Sequence, residues 1–349
     1  MPFTLTSVDQ LADLPFDTLI DVRSPAEFAE DHIPGAINCP ALNNAQRAEV
    51  GTIYVQEDRF KARKIGAAYV AQNAATALQT TLADKPGSWK PLVYCWRGGQ
   101  RSGSFNVILQ QIGWRAETVE GGYKSYREMV ANLLYKTEFL PKVVLIDGNT
   151  GTAKTRLLYH LKECGAQVLD LEGLAEHRGS IFGPTNTRQP KQKMFESRLA
   201  HDVVRLDPAR PVFVEAECSK IGRLIVPPSL WQKMIVASRV FITAPISARV
   251  DHLLDDYADL IADPARLDVL LSKLVRYHGH EQVNSWRALA GAGAFAQLTQ
   301  ELINVHYDPR YERVSKSEGA PIALPDLEDA TLRSCALNLI QQADGYIPH

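Results

Sequence analysis

Two short stretches hold the residue types that could do chemistry. In the first, Cys95 follows the apolar run Pro91-Leu92-Val93-Tyr94 and opens Trp96-Arg97-Gly98-Gly99-Gln100-Arg101-Ser102. A cysteine at a strand end, before a glycine pair, sits where successive backbone N–H groups can turn inward as an anion nest. A helix starting near Ser102 or Gly103 would point its positive end at the same place. Arg97 and Arg101 add full charges. All three effects lower a thiol's pKa and favour the nucleophilic thiolate. The other reading of a cysteine after a strand is an inert buried thiol. Here the glycine pair and the two arginines argue against it. Cys39, Cys164, Cys218 and Cys335 lack such surroundings and read as structural or incidental.

The second stretch is Asp147-Gly148-Asn149-Thr150-Gly151-Thr152-Ala153-Lys154-Thr155, between the apolar run Lys142–Asp147 and the helical run Lys154–Glu163. Strand, glycine-containing loop, helix is the setting of a P-loop, and the spacing fits GxxxxGK[ST] except that Ala153 replaces glycine. Backbone N–H groups from Gly148 through Gly151 and Thr152 would cradle a phosphate, favoured by the helix end. Lys154 would reach the outer phosphate, and Thr155 could hold a magnesium ion. The run Val212-Phe213-Val214-Glu215 resembles a Walker B strand, so Glu215 or Glu217 could bind magnesium through water or act as acid or base. Equally, it could be a core strand whose first exposed residue happens to be acidic. No motif for a nucleotide base is visible, which leaves open a loop that binds a diphosphate without hydrolysing ATP.

The elements that must position these loops divide the chain in two. Thr18–Val22, Pro91–Tyr94 and Ala116–Val119 read as strands and Tyr123–Leu134 as a helix, giving a first domain over residues 1–135. A second domain over 136–349 begins with the strand at Lys142, continues with strands at Gln167–Leu171, Pro211–Glu215 and Val236–Ala244, and turns helical from about residue 247, as in Arg249–Ala262 and Ala294–Val305. Strands separated by helical stretches predict α/β architecture with parallel sheets. The length, 349 residues, fits about two domains. Apolar residues at 45% and charged residues at 22% exclude a disordered or coiled-coil chain. No uncharged run approaches the ~18 residues of a membrane helix, and the N-terminus shows no secretory signal. The five cysteines are scattered without CxxC spacing, which disfavours a zinc knuckle or disulfide framework and fits a cytoplasmic protein with free thiols.

The net charge of −2 gives no overall bias toward nucleic acid. Local basic clusters exist at Arg59-Phe60-Lys61-Ala62-Arg63-Lys64 and over Arg178, Arg188, Lys191, Lys193 and Arg198. A solvated surface is the ordinary explanation of each.

Asp21-Val22-Arg23-Ser24-Pro25-Ala26-Glu27-Phe28, with His32-Ile33-Pro34-Gly35-Ala36-Ile37-Asn38, resembles the N-terminal signature of rhodanese domains. The Cys95–Ser102 stretch resembles their active-site loop. Sulfurtransferase loops typically place four residues between cysteine and arginine; here five separate Cys95 from Arg101. That spacing is shared with tyrosine phosphatases and the rhodanese-fold phosphatases of the cell cycle, and it makes room for a phosphate-sized group.

A rhodanese-like domain followed by a P-loop domain with a helical C-terminal region resembles the tRNA 2-selenouridine synthases. The matching pieces are Cys95–Ser102, Gly148–Thr155, Leu171–Gly183, Gln189–Glu196 and His306–Tyr311. The resemblance implies a transferase acting on tRNA in two steps. A wobble 2-thiouridine is S-geranylated from geranyl diphosphate, a prenyltransferase step, and selenium from selenophosphate then replaces the geranylthio group. It makes Cys95 the selenium carrier, as an S-selanyl intermediate, with Arg97, Arg101, Gly98 and Gly99 around the phosphate of selenophosphate. The diphosphate would fall to Gly148–Thr155, with magnesium as a candidate ion. The implied partners are the anticodon regions of tRNAs for lysine, glutamate and glutamine, with no membrane. His177, Arg178, Arg188 and Lys191 are candidate tRNA contacts, which Arg59 and Arg63 could extend, because arginines both pair with phosphate and stack on splayed bases. The rival readings are a rhodanese-fold phosphatase or a thiosulfate sulfurtransferase with a P-loop accessory domain, and a binding module in which both loops are merely anion sites. The phosphatase reading needs a general acid that the sequence does not identify.

Overall fold

A computed structural model describes residues 1–311 and 320–342. The chain forms two compact units: Met1–Glu138 with Pro190–Arg205, and Phe139–Gln189 with Leu206–His349.

The first unit is built on a four-stranded parallel sheet ordered β2-β1-β3-β4, where β1 is Thr18–Asp21, β2 Ile37–Asn38, β3 Pro91–Tyr94 and β4 Glu117–Thr118. β1 and β3 pair from Thr18 against Pro91 to Asp21 against Tyr94, so the signature after β1 and the cysteine after β3 leave the sheet at the same edge. Both strands are almost entirely buried, as expected of a parallel sheet covered on two faces. Ser24 and Glu27 form a capping box, and Pro25 stands at the first helical position, which fixes the start of α1 (Pro25–Glu30). Two helices that the sequence reading did not delimit follow: α2 (Asn44–Gln56), opened by an Asn43–Gln46 capping box, and α3 (Arg59–Gln79), capped by Asp58. The basic cluster at residues 59–64 is the first turn of α3. Helix α4 (Gln100–Ile112) begins at Gln100 rather than at Ser102 or Gly103, because Gly99 serves as its N-cap. Gly122–Tyr135 is α5.

The second unit holds a five-stranded parallel sheet ordered β11-β10-β5-β7-β6. Its strands and helices, in chain order, are β5 (Val143–Gly148), α6 (Lys154–Glu163), β6 (Gln167–Leu169), α7 (Leu171–Ala175), then, after α8 (Gln192–Val203) in the first unit, β7 (Val212–Glu215), the hairpin β8 (Lys220–Ile221) and β9 (Leu224–Ile225), α9 (Pro228–Ile235) and β10 (Ser238–Thr243). The strand expected to run to Leu171 stops at Leu169, because the Asp170 side chain accepts from Gly173 N–H and caps α7. The helical region comprises α10 (Ile246–Asp256), α11 (Ala258–Ile261), α12 (Pro264–Ser272), α13 (Val275–Gly291), α14 (Phe295–Glu301), a π-helical segment over Leu302–Tyr307 and α15 (Asp308–Tyr311). Strand β11 (Ile322–Ala323) and α16 (Asp329–Gln341) complete the described chain. No described helix is long and apolar enough to cross a membrane.

The sequence reading assigned residues 190–205 to the second domain, whereas the structure groups them with the first unit. Glu196 of α8, almost fully buried, is ion-paired with Arg127 of α5 and accepts from the Tyr135 hydroxyl at 2.6 Å. Lys193 reaches Glu30 at 2.6 Å. An amphipathic pattern says that α8 must bury a face; which partner covers it depends on these pairings.

Candidate active site

Cys95 sits at the end of β3 with its side chain almost fully buried. The Ser102 hydroxyl donates to Sγ at 3.2 Å, and the backbone N–H groups of Ser102 and Arg97 also point at the sulfur. Burial is the largest influence and pushes the thiol up. The Ser102 hydrogen bonds, the charge of Arg101 and the Arg97 N–H together outweigh it and leave Cys95 below the ordinary thiol value. Cys39 and Cys335 show what burial does without donors: both thiols are pushed up to about 11. The distinction read from sequence between Cys95 and these cysteines is therefore electrostatic.

The loop keeps its shape through a second turn. Gly98 has φ +64°, and a Cβ there would stand 2.6 Å from the Val119 carbonyl oxygen. Gly122, at φ +60°, packs against the Cys95 carbonyl so closely that a Cβ would collide with it. Tyr123 N–H then donates to the Cys95 carbonyl and Lys124 N–H to that of Trp96, both at 2.9 Å. Glu120-Gly121-Gly122, legible only as a turn, is thus the brace of the cysteine loop.

Arg97 is exposed. Arg101 is held by Glu27, with Nη1 2.9 Å from Oε2. Burial raises the Glu27 pKa, but Arg101 and the Ser24 donors more than reverse this and keep it below the usual carboxylate value. Glu27 therefore caps α1 and fixes the arginine that acts on Cys95. Asp21 and Arg23 form a buried pair at 2.6 Å, and Arg23 lies over the Tyr123 ring at 3.8 Å. These contacts explain why the signature after β1 accompanies the cysteine loop. Glu27 is a functional residue that sequence reading quoted but gave no role.

The loop after β5 has the expected form. Lys154 opens α6 and its Nζ donates to the Gly148 carbonyl at 2.9 Å. The Thr152 hydroxyl donates to the Asn149 carbonyl at 2.9 Å. Gly151, at φ +84°, brings the loop against Leu253. Ala153 takes the left-handed conformation, φ 56° and ψ 35°, at the N-cap of α6. That geometry suits glycine, and a residue with a Cβ bears roughly 1–2 kcal/mol for adopting it.

The acidic candidates meet the loop. β7 pairs beside β5 with Glu215 opposite Ile146, and the Thr155 hydroxyl donates to Glu215 Oε1 at 2.6 Å. Glu217 lies beside Glu172, an acid that the sequence reading passed over within Leu171–Gly183. Burial first, then neighbouring carboxylates, hold Glu215 and Glu172 well above the usual carboxylate pKa. Among the described residues, no group of three or more His, Cys, Asp or Glu side chains is arranged to hold a metal ion.

A further pair steadies the loop. The Arg249 guanidinium donates to the Thr150 carbonyl at 2.8 and 3.0 Å and to Asp308 at 2.7 and 2.9 Å, and is almost fully buried. Neither Arg249 nor Asp308 carries a local motif that would have revealed this.

The basic candidates differ from one another. Arg178 is ion-paired with Asp259 at 2.9 Å and Asp256 at 3.4 Å and lies over the Tyr257 ring at 4.7 Å. His177 is half-buried against Gly183 and Gly222, and burial, then Arg178 and Arg223, lower its pKa. Arg188, Lys191, Arg59 and Arg63 are exposed, and Arg59 stands 5.5 Å over the Tyr54 ring. Arg59, Arg63 and Lys191 belong to the first unit, His177, Arg178 and Arg188 to the second.

The sheets and loops define a chain that joins a rhodanese-type cysteine loop to a P-loop-type domain. Family models match accordingly: a rhodanese-like domain over residues 4–129 and the tRNA 2-selenouridine synthase AAA domain over 141–270. A tRNA 2-selenouridine synthase of Pseudomonas syringae is 33% identical over 316 residues, covering 87% of this chain and 79% of the relative. The synthase of Nitrosomonas europaea is 35% identical over 254 residues, covering 71% of this chain and 64% of its own length. That of Bdellovibrio bacteriovorus is 34% identical over 248 residues, covering 68% and 64%. The matched stretch thus spans somewhat under two thirds of the latter two proteins. A solved rhodanese-related protein of Thermoplasma volcanium is 21% identical, with a TM-score of 0.23, covering 36% of this chain and 90% of its own. The chain belongs to the tRNA 2-selenouridine synthase family.

Proposed function

We propose that this chain converts wobble 2-thiouridine of tRNA to 2-selenouridine, dividing the work between its two loops. In the first step the sulfur of the thiouridine attacks the first carbon of geranyl diphosphate; the C–O bond breaks and diphosphate departs. The loop Gly148–Thr155 takes the diphosphate, with Lys154 offsetting the charge that grows on the leaving group. A magnesium ion accompanying the diphosphate would be held by Thr155 and Glu215, whose oxygens are 2.6 Å apart. The buried carboxylates around them resist ionisation, a cost that a cation would relieve.

In the second step selenium from selenophosphate, carried on Cys95, replaces the geranylthio group. Alkylation serves this step by turning a poor leaving group into a thiol that can depart. The observation that carries the reading is the joint presence, in a member of this family, of a thiol held below its ordinary pKa and a separate lysine-bearing phosphate loop. Exposed Arg188, Lys191, Arg59 and Arg63 are proposed to meet tRNA phosphates. Charge reversal there should weaken tRNA binding and flatten its salt dependence. The tRNAs expected are those for lysine, glutamate and glutamine.

The deciding experiment is mass analysis of wobble nucleosides from cells lacking the protein. Loss of selenouridine with build-up of thiouridine is expected; unchanged selenouridine would overturn the reading. The phosphatase alternative is checked separately by offering the purified chain an aryl phosphate, from which no Cys95-dependent phosphate release is expected.

A further inference from the structure

We infer that an apolar cavity inside the second unit binds the hydrocarbon tail of a diphosphate ester whose charged end occupies the phosphate loop. The inference deepens the proposed reading and rests on its placing a diphosphate at Gly148–Thr155. The cavity is walled by Phe182, Leu253, Tyr257, Leu302 and Tyr307 among others, and Thr150 of the phosphate loop is also part of its wall. One residue thus belongs to both sites, so a ligand seated in the loop has hydrocarbon surface beside it.

The lining narrows the ligand class. Nearly all of it is aliphatic or aromatic, and the Tyr257 hydroxyl is already engaged with Ser180 at 3.1 Å. A nucleotide base would bury ring nitrogens and exocyclic groups that need hydrogen-bond partners, and leaving them unmet is costly. A branched hydrocarbon chain needs none and gains from leaving water. An anionic head with an aliphatic tail therefore fits better than a nucleoside phosphate.

The wall and the loop are also mechanically joined. The π-helical segment supplies Leu302, Ile303 and Tyr307 to the cavity, and Asp308 directly after it holds Arg249 on the Thr150 carbonyl. π-Helical turns recur at functional sites, where the extra residue re-aims side chains. Here the segment shapes the tail's wall, and the next residue steadies the head's loop.

The test uses the full chain and calorimetric titration with geranyl diphosphate, inorganic diphosphate and ADP. Geranyl diphosphate should bind at least about tenfold more tightly than inorganic diphosphate, since burying even a few methylenes is worth that much. Leu298→Trp, which fills the cavity, should abolish that advantage and leave inorganic diphosphate binding unchanged. Thr299→Trp, at a half-buried lining position, is the second variant should Leu298→Trp not fold. An advantage that survives in a folded filled variant would overturn the inference, as would its absence from the wild-type chain or ADP binding that is tighter and lost on filling. Cavity-dependent binding without any geranylated nucleoside would keep the tail site and remove the prenyl-transfer reading. No diphosphate binding at all would remove both.

Discussion

The loop after β3 and the loop after β5 each follow a parallel strand and run into a helix, yet their surroundings carry opposite charge. Around Cys95 the nearby charges are Arg97 and Arg101, and the acid Glu27 is spent in holding Arg101. Around Lys154 the neighbours include Glu172 and Glu215, whose ionisation is suppressed by burial and by one another. The first loop is organised to keep a negative charge on its own sulfur. The second has an excess of buried carboxyl groups, which suits a ligand that arrives with a cation. The same strand-loop-helix frame can thus serve a nucleophile or a leaving group, according to what the adjacent strands place beside it.

The sharpest way to break this comparison is to remove one loop's chemistry at a time. Cys95→Ala should lower selenium incorporation by about a thousandfold or more, as expected for loss of a covalent nucleophile, and geranylated nucleoside should accumulate. Lys154→Ala should yield neither geranylated nor selenated product. Mass analysis of the nucleosides checks both, and if the two variants stop at the same nucleoside the division of labour is wrong.

Ser102→Ala should act next most strongly. Without its hydroxyl donor the Cys95 thiol pKa rises, so at a pH below that value the thiolate fraction and the alkylation rate should fall several-fold, about tenfold per unit of pKa. An iodoacetamide rate–pH profile that does not move upward would show that the backbone N–H groups and Arg101 suffice.

Asp308→Asn tests the steadying of the second loop. It removes one charge from the pair holding Arg249, and a few-fold loss of diphosphate affinity is expected, with Cys95 alkylation unchanged.

The carboxyl cluster makes a pH prediction. The folded-state pKa of Glu215 is raised, so its contribution is fully favourable below the unfolded value and is lost as pH rises through the folded one. Glu215→Gln should therefore leave stability unchanged in acid and raise it relative to wild type above the ordinary carboxylate range. Denaturant titrations at several pH values check this, and a gap that widens toward acid would contradict it. The smallest effect is expected from Ala153→Gly. Relief of the left-handed strain, about 1 kcal/mol, is partly offset by the freer unfolded chain, so Tm should rise by a few degrees at most.

Both loops were legible in the sequence because each is a contiguous motif that carries its own strand and helix signals. The parallel α/β sheets were legible for the same reason. What escaped was contact between residues distant along the chain: Glu27 with Arg101, Arg249 with Asp308, and Glu172 with Glu217. An isolated acid or arginine gives no sign of its partner until the fold brings the two together. The place of α8 was hidden in the same way, since its apolar spacing fixes that a face is buried but not which helix covers it. Arg178 shows the converse: a cation that reads as a ligand contact is held by Asp256 and Asp259.

The excursion of residues 190–205 has a practical consequence. Because the polypeptide leaves the second unit, contributes α8 to the first and then returns, the cysteine-bearing half cannot be excised by a single cut. A fragment ending at Glu138 would strip the acid from Arg127 and the acceptor from Tyr135, leaving the outer side of α5 bare. A faithful stand-alone half would need the α8 segment spliced on behind α5.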